Sequence, residues 1–371
     1  MKNSLKILLL IFATPYLACA QERVFTVKSL PTKFKVPPID AKISEEDFFD
    51  LTSLLPPKFV KDGSVDYTVY LQKGLSGHQK VKFPNFPVLV NDGGLTVKNN
   101  AEIYFPVKSK IILKSSSSER YEVLRLHNVS NVKLFNPTIV GDRKTHDGNE
   151  GEWGMGISIR GSKDIIIYNP VVTNCWGDGI YLGHLNYVQN SNVKILNATV
   201  DNSRRNGISV TSGEDISIIN ARLSNSNGKG PYSGLCIEPS NARAVLNNIT
   251  VRDIVTFNNY GTGLKIAGLE LLVNTNDTPN KNINIDIINH IDDGSSQGMF
   301  IGRIISPKQK AGIALQGRIS IENPVWVNND AQMFVKRKHY GRGPEILLTS
   351  STPKLKSRIN DVKEDREVII E

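Results

Sequence analysis

Apolar and polar residues alternate along short runs that repeat through the middle of the chain. Six runs follow a glycine (Gly156, Gly179, Gly207, Gly234, Gly263 and Gly298) at intervals of 23 to 35 residues. Aligned on the next residue, they give one aliphatic column: Ile157, Ile180, Ile208, Leu235, Leu264 and Met299. Two positions on, a second column reads Ile159, Leu182, Val210, Ile237, Ile266 and Ile301. An earlier run without the glycine, "VLRLHN", adds Leu124 and Leu126. A period of two marks half-buried strands, and a recurrence of this size marks stacked supersecondary units. The repeated glycines are expected to turn the chain at each unit.

A second run follows each copy: "NVKLFNPTIV", "DIIIYNPVVT", "NVKILNATVD", "DISIINARLS" and "NITVRDIVTF". It carries another aliphatic column and a polar one, Asn136, Asn169, Asn197 and Asn220, with Asp253 in place. Asparagines stacked at a bend can hydrogen-bond from one unit to the next, so this column is structural. Strands in register with no helices between predict an all-β chain, a right-handed parallel β-helix with a short N-terminal helical cap. A leucine-rich horseshoe would show its own signature, and a propeller needs about four strands per repeat.

The N-terminal stretch "VDYTVYLQKGLSGHQKVKFPNFPVLVNDGGLTV" sharpens this. Asp66, Thr68, Leu71, Gln72, Val81, Phe83 and Pro84 stand where an Asp-Thr start, a capping helix and a V-x-F-P turn would fall. With the columns and the Asn ladder, the chain resembles the β-helix proteins of the pectate-lyase-like superfamily over residues 62–335. The resemblance implies the fold and leaves the activity open, because that fold hosts many chemistries. The polygalacturonase branch carries its acids as "N-T-D" and "D-D" ahead of successive strands. Here only Asp178 matches. Met155 replaces the first acid, Gly177 the first residue of the pair, and Asn206 stands where that branch has histidine. A polygalacturonase-type mechanism is therefore not implied.

The ends carry other signals. Lys2 and Lys6 precede a short apolar run, and small residues follow, so residues 1–20 read as an export signal cleaved after Ala20. Lipid attachment at Cys19 is the alternative. The protein is then secreted or periplasmic, with no stable membrane insertion. Residues 21–61 form a Pro-rich extension, with Ser44 and Asp47 expected to cap a helix over "EEDFFDLTSLL" on the barrel end. Residues 336–371 read as a basic segment and a loosely held charged tail. Cys175 and Cys236 are too few for a disulfide framework. The formal charge of +9 falls to +7 without Lys2 and Lys6. In an exported chain that balance suits an acidic polysaccharide partner. No nucleic-acid motif is present.

Candidate chemistry gathers before the strand that starts at Ile180. Trp153 and Trp176 should stack on adjacent rungs, with Arg204 and Arg205 on the next and Asp178 among them. Aromatic faces suit pyranose rings and arginines suit sugar carboxylates. Tyr181, Arg160 and Lys265 lie on the same face and complete a substrate-binding set. Asp178 is the main candidate for a catalytic acid or base, with Glu152 or Glu238 as its partner. Glycoside hydrolysis is the first expectation. A lyase acting on uronates by β-elimination is the second, with the arginines and Lys265 as neutralisers or base and His184 or Tyr181 moving a proton. A non-catalytic polysaccharide-binding or adhesin-type protein is the third. No cofactor is expected. The loop 141–154, with Asp142, His146, Asp147, Glu150 and Glu152, offers oxygens for calcium but matches no known loop motif.

Overall fold

The computed structural model describes residues 24–273, 281–302, 315–330, 332–336, 343–352 and 368–370. The export signal and Cys19 lie outside them. The described strands form three sheets of twelve, nine and nine strands, and every strand pairing within them is parallel. Each coil lays one strand in each sheet. Trp153–Arg160, Lys163–Tyr168 and Val171–Thr173 make one coil, and Ile180–Gly183 then returns beside the first strand. This is a parallel β-helix.

The register follows the aliphatic columns. Leu124, Ile157, Ile180, Ile208, Leu235, Leu264 and Met299 pair in succession. All are fully buried. Burying such a side chain contributes about 1.5–3 kcal/mol, which makes the stacked column the main cohesive element.

The glycine column has a different reason from the one expected. The backbone at these positions does not take the left-handed conformation, so no glycine-only turn is needed there. Close approach is what excludes a side chain. A Cβ on Gly207 would lie 2.6 Å from the carbonyl oxygen of Gly234, and one on Gly263 would lie 2.7 Å from that of Gly298. Each glycine makes room for the next rung.

Positive φ is instead carried by asparagine. Asn136, Asn169, Asn197 and Asn220 all take the left-handed region, and their amides bond successively at 2.7–2.8 Å. A second ladder stands at the next bend, on Asn174, Asn202, Asn225 and Asn258. Asparagine tolerates this conformation because its short side chain bonds locally.

The N-terminal cap is a helix, α1 (Thr68–Gly77). Asp66 starts it by accepting the Thr68 amide at 2.9 Å. Leu71 and Leu75 close the end of the core. Residues 45–54 do not form the expected helix. They make two 3-10 turns around a two-residue strand, Phe49–Asp50, which pairs with Val81 and Lys82. Ser44 makes no capping bond; Asp50 caps the second turn.

Residues 24–42 run along the outside of the third sheet as a strap held by both ladders. Asn258 donates to the Thr26 carbonyl, Asn225 exchanges bonds with both backbone groups of Lys28, and Arg222 donates to Phe34. Asn197 donates to Pro37, and Asn169 exchanges bonds with Ile39. The strap thus crosses several coils in reverse order. The solenoid also continues past 335: Glu345–Thr349 and Val368–Ile370 add strands to the twelve-stranded sheet. No helix among the described residues is long and apolar enough to cross a membrane.

Candidate functional site

The nine-stranded sheet that begins at Leu95 turns one face outward. Its central column reads Thr96, Arg125, Ser158, Tyr181, Ser209, Cys236, Lys265 and Phe300, each paired with the next. Side chains from the bends on either side lean over this column.

Arg205 is the centre of one cluster. Its Nη1 lies 3.0 Å from Asp178 and its Nε lies 3.4 Å from Glu152. Two carboxyls that share one guanidinium this closely are nearer than the roughly 9.5 Å outer limit for an inverting pair. Their environments differ. The Asp178 side chain is 0% exposed and also accepts the Asn206 amide at 3.0 Å, whereas Glu152 is 31% exposed. Burial pushes Asp178 above the usual carboxylate range against the pull of Arg205. The Asp178 charge in turn holds the Arg205 guanidinium more firmly protonated. Glu238 lies further along, with Lys265 at 3.7 Å and the Cys236 thiol at 3.7 Å. Burial, then Glu238, push that thiol up to about 12.

The loop carrying Glu152 is clamped. Arg204 donates to the carbonyls of Gly151 and Asn149, each at 2.5 Å, and Trp176 Nε1 donates to the intervening Glu150 carbonyl at 2.9 Å. His146 stacks on Trp176 at 3.9 Å, and the Arg204 guanidinium lies 3.9 Å from the same ring system. With these two contacts in place, Trp176 is only 6% exposed. This corrects two expectations. Trp176 offers no face to a sugar, and Arg204 is spent on backbone carbonyls rather than on a substrate. Trp153, by contrast, is 39% exposed, with Arg120 over its ring.

Two of the loop's candidate ligands for calcium, Asp142 and His146, engage each other. Asp142 is buried, accepts from the Tyr121 hydroxyl, and lies 2.8 Å from His146 Nδ1. Among the described residues no three His, Cys, Asp or Glu side chains gather as a cation site.

A second cluster sits on the earlier rungs. Glu122 Oε1 accepts from Ser158 at 2.9 Å and from Arg160 Nε at 3.0 Å. His127 Nε2 lies 3.0 Å from Ser158 Oγ and 3.5 Å from Glu122. Arg160 covers the Tyr181 ring at 4.2 Å, and the Tyr181 hydroxyl meets Thr211 at 2.8 Å. Burial pushes His127 below the ordinary histidine range; Glu122 opposes this, and Arg160 and Arg125 add to it. His184 stands apart from Asp178, with Nε2 on Asn241 at 2.8 Å and its ring near Tyr187. Burial, then Arg160, lower its pKa.

Sequence reasoning missed Glu122. Strict alternation turns it inward, but Val123 and Leu124 are both buried, and that break swings Glu122 onto the outer face. Two adjacent apolar residues in "YEVLRLH" are the signal that could have found it.

No family model matches the chain. Two proteins of Bacillus subtilis (strain 168) are similar in part. An uncharacterized SPbeta prophage-derived protein, YorA, is 24% identical over 163 residues, 39% of this chain and 28% of its own. The uncharacterized YclG is 25% identical over 210 residues, 48% of this chain and 36% of its own. The match therefore spans about a third of each relative.

Among solved structures, the tailspike gp49 of Acinetobacter baumannii bacteriophage Fri1, a capsular polysaccharide depolymerase, aligns with TM-score 0.55 and 13% identity. That alignment covers 89% of this chain and 62% of that one. The Azotobacter vinelandii mannuronan C-5 epimerase AlgE4 A-module aligns at 0.53 and 17%, covering 81% of each. An endo-xylogalacturonan hydrolase from Aspergillus tubingensis aligns at 0.55 and 14%, covering 79% of this chain and 84% of that one. The chain is a parallel β-helix resembling the pectate-lyase-like folds, an architecture shared by polysaccharide depolymerases, epimerases and hydrolases.

Proposed function

We propose that this protein is an exported carbohydrate-active enzyme that hydrolyses glycosidic bonds of an acidic polysaccharide laid along the outer face. The observation that carries the reading is Arg205 held between Asp178 and Glu152. Hydrolysis needs one carboxyl that keeps its proton and one that stays ionised. Burial favours the protonated form of Asp178, and Arg205 opposes it. A sugar carboxylate that draws Arg205 aside removes that opposition and uncovers Asp178. Asp178 then gives its proton to the leaving oxygen, while the part-exposed Glu152 takes a proton from the water whose oxygen bonds the anomeric carbon. The Arg204 and Trp176 clamp keeps Glu152 in place, and the part-exposed Trp153 is the aromatic surface left for a pyranose.

Elimination is the second reading, favoured by Arg160 over Tyr181 beside a histidine, His127, kept below its ordinary pKa. In that case Arg160 holds the uronate carboxylate and Tyr181 or His127 moves the proton.

Incubation with a panel of acidic and neutral polysaccharides separates the two. Hydrolysis yields reducing ends without ultraviolet absorbance, and both Glu152→Gln and Asp178→Asn lower the rate by about 100-fold or more. Reducing ends that come with the absorbance of unsaturated uronates, and that survive Glu152→Gln, would replace hydrolysis by elimination.

A further inference from the structure

Most cations of the outer face are paired with a carboxylate. Arg160 faces Glu122, Arg205 faces Asp178 and Glu152, and Lys265 faces Glu238. Arg120, at the strand edge, lies over Trp153. Arg125 sits in the central column, yet among the described residues it has no carboxylate within ion-pair distance. Its Nε donates to Thr96 Oγ1 at 3.1 Å, and its Nη2 donates to the Gly93 carbonyl at 2.5 Å. A guanidinium has five N–H groups in a fixed plane. Two neutral acceptors orient this one and leave the other three.

Arg125 borders an open cleft of about 520 Å³ between α1 and the first strands of the sheet, walled by Thr68, Val69, Gln72, Gly93 and Thr96. That volume is within the range of small-ligand sites, roughly 300–1,000 Å³. The polar wall is saturated internally. Gln72 bonds both backbone groups of Thr96 and the Ser76 hydroxyl, and Asn91 bonds Asp66 and the Gly93 amide. Val69, 77% exposed, adds an apolar surface. The cleft therefore joins an apolar wall to a positioned cation that lacks a counter-ion. Arg125 lies three rungs before Arg205, about 14 Å along the barrel axis at ordinary strand spacing. A short oligosaccharide covers that distance; one ring does not.

We propose that this cleft is a remote subsite in which Arg125 binds the carboxylate of a uronic acid unit. The inference rests on the reading of the outer face as a polysaccharide site and names the substrate class. A planar carboxylate matches the free edge of the guanidinium and can be held by two parallel bonds. The sugar ring then packs on Val69. The subsite fixes the register of the polymer over Arg205 and selects against neutral chains.

The test is titration calorimetry with hexasaccharides of galacturonate and of mannuronate, and with neutral maltohexaose. The proteins are the wild type, Arg125→Gln, Arg125→Lys and the control Lys194→Gln, whose lysine is exposed on another sheet. The expected result is that an acidic hexamer binds the wild type and binds Arg125→Gln about tenfold or more weakly. Arg125→Lys should fall between, Lys194→Gln should match the wild type, and unfolding midpoints should agree. Equal binding by Arg125→Gln overturns the subsite alone, since loss of cleavage in Glu152→Gln still judges the reaction. Binding of the neutral hexamer only overturns the uronate assignment. No binding of any of them by the wild type counts against both.

Discussion

Arg205 shows how one side chain can tie two acids together. Without it, Asp178 is a buried carboxylate with no cation. Arg205→Met should therefore destabilise the fold by about 3–5 kcal/mol, the usual cost of breaking a buried pair. Adding Asp178→Asn should recover most of that loss in urea unfolding. If the double variant is no more stable than the single, the pair is not the reason.

A buried relay in the later coils makes a separate prediction. Trp326 Nε1 can only donate, so His290 Nδ1 accepts at 3.1 Å and Nε2 carries the proton to Thr256, which donates to Asp292 at 2.6 Å. Burial lifts Asp292 from 3.8 to about 7 and drops His290 from 6.5 to about 3. The Asp292 contribution to stability is full below about 3.8 and is lost as pH rises to about 7. The His290 contribution is full above 6.5 and is lost as pH falls toward about 3. Between about 4 and 6.5 the two slopes oppose, by the linkage of proton uptake to folding. Asp292→Asn removes one of them, so its stability should fall steadily with acidification where the wild type is flatter. Matching profiles for the two proteins would contradict this.

At the scale of elements, the strap depends on the asparagine ladders. Asn225 binds Lys28 through both its oxygen and its amide and continues to Asp201 and Asn258. Asn225→Gly keeps the positive φ but loses these bonds. About 1–3 kcal/mol should be lost, and amide exchange should rise in residues 24–42 before it rises in the sheets. Uniform exchange across the barrel would mean that the strap is not an independent unit. The sequence made the strands legible because every rung repeats one demand, an aliphatic side chain facing inward. It did not make the strap legible, since an extended Pro-rich segment read by side-chain amides has no period of its own. The same limit explains the site. The columns put Trp176, Asp178 and the arginines together, but a column does not say which neighbour covers an aromatic face. Trp176 and Arg204 therefore read as open binding groups when they are a clamp. Glu122 was hidden because alternation fails where Val123 and Leu124 both turn inward.

At the scale of the molecule, the strap runs outside the third sheet while the acids and arginines cluster on the outer face of another. Stability and the proposed chemistry are thus carried on different sides. Deleting residues 24–42 should lower the unfolding midpoint and uncover Arg222, which burial already pushes below its ordinary pKa. It should leave the polysaccharide-cleaving face intact; loss of cleavage in a folded deletion variant would contradict that separation.

The central claim is that this face adds water across a glycosidic bond. Mass spectrometry of products formed in heavy-oxygen water tests it most directly. The account predicts one solvent oxygen incorporated for each bond broken, and no such products from Glu152→Gln. Products that carry no solvent oxygen and end in an unsaturated uronate would contradict it.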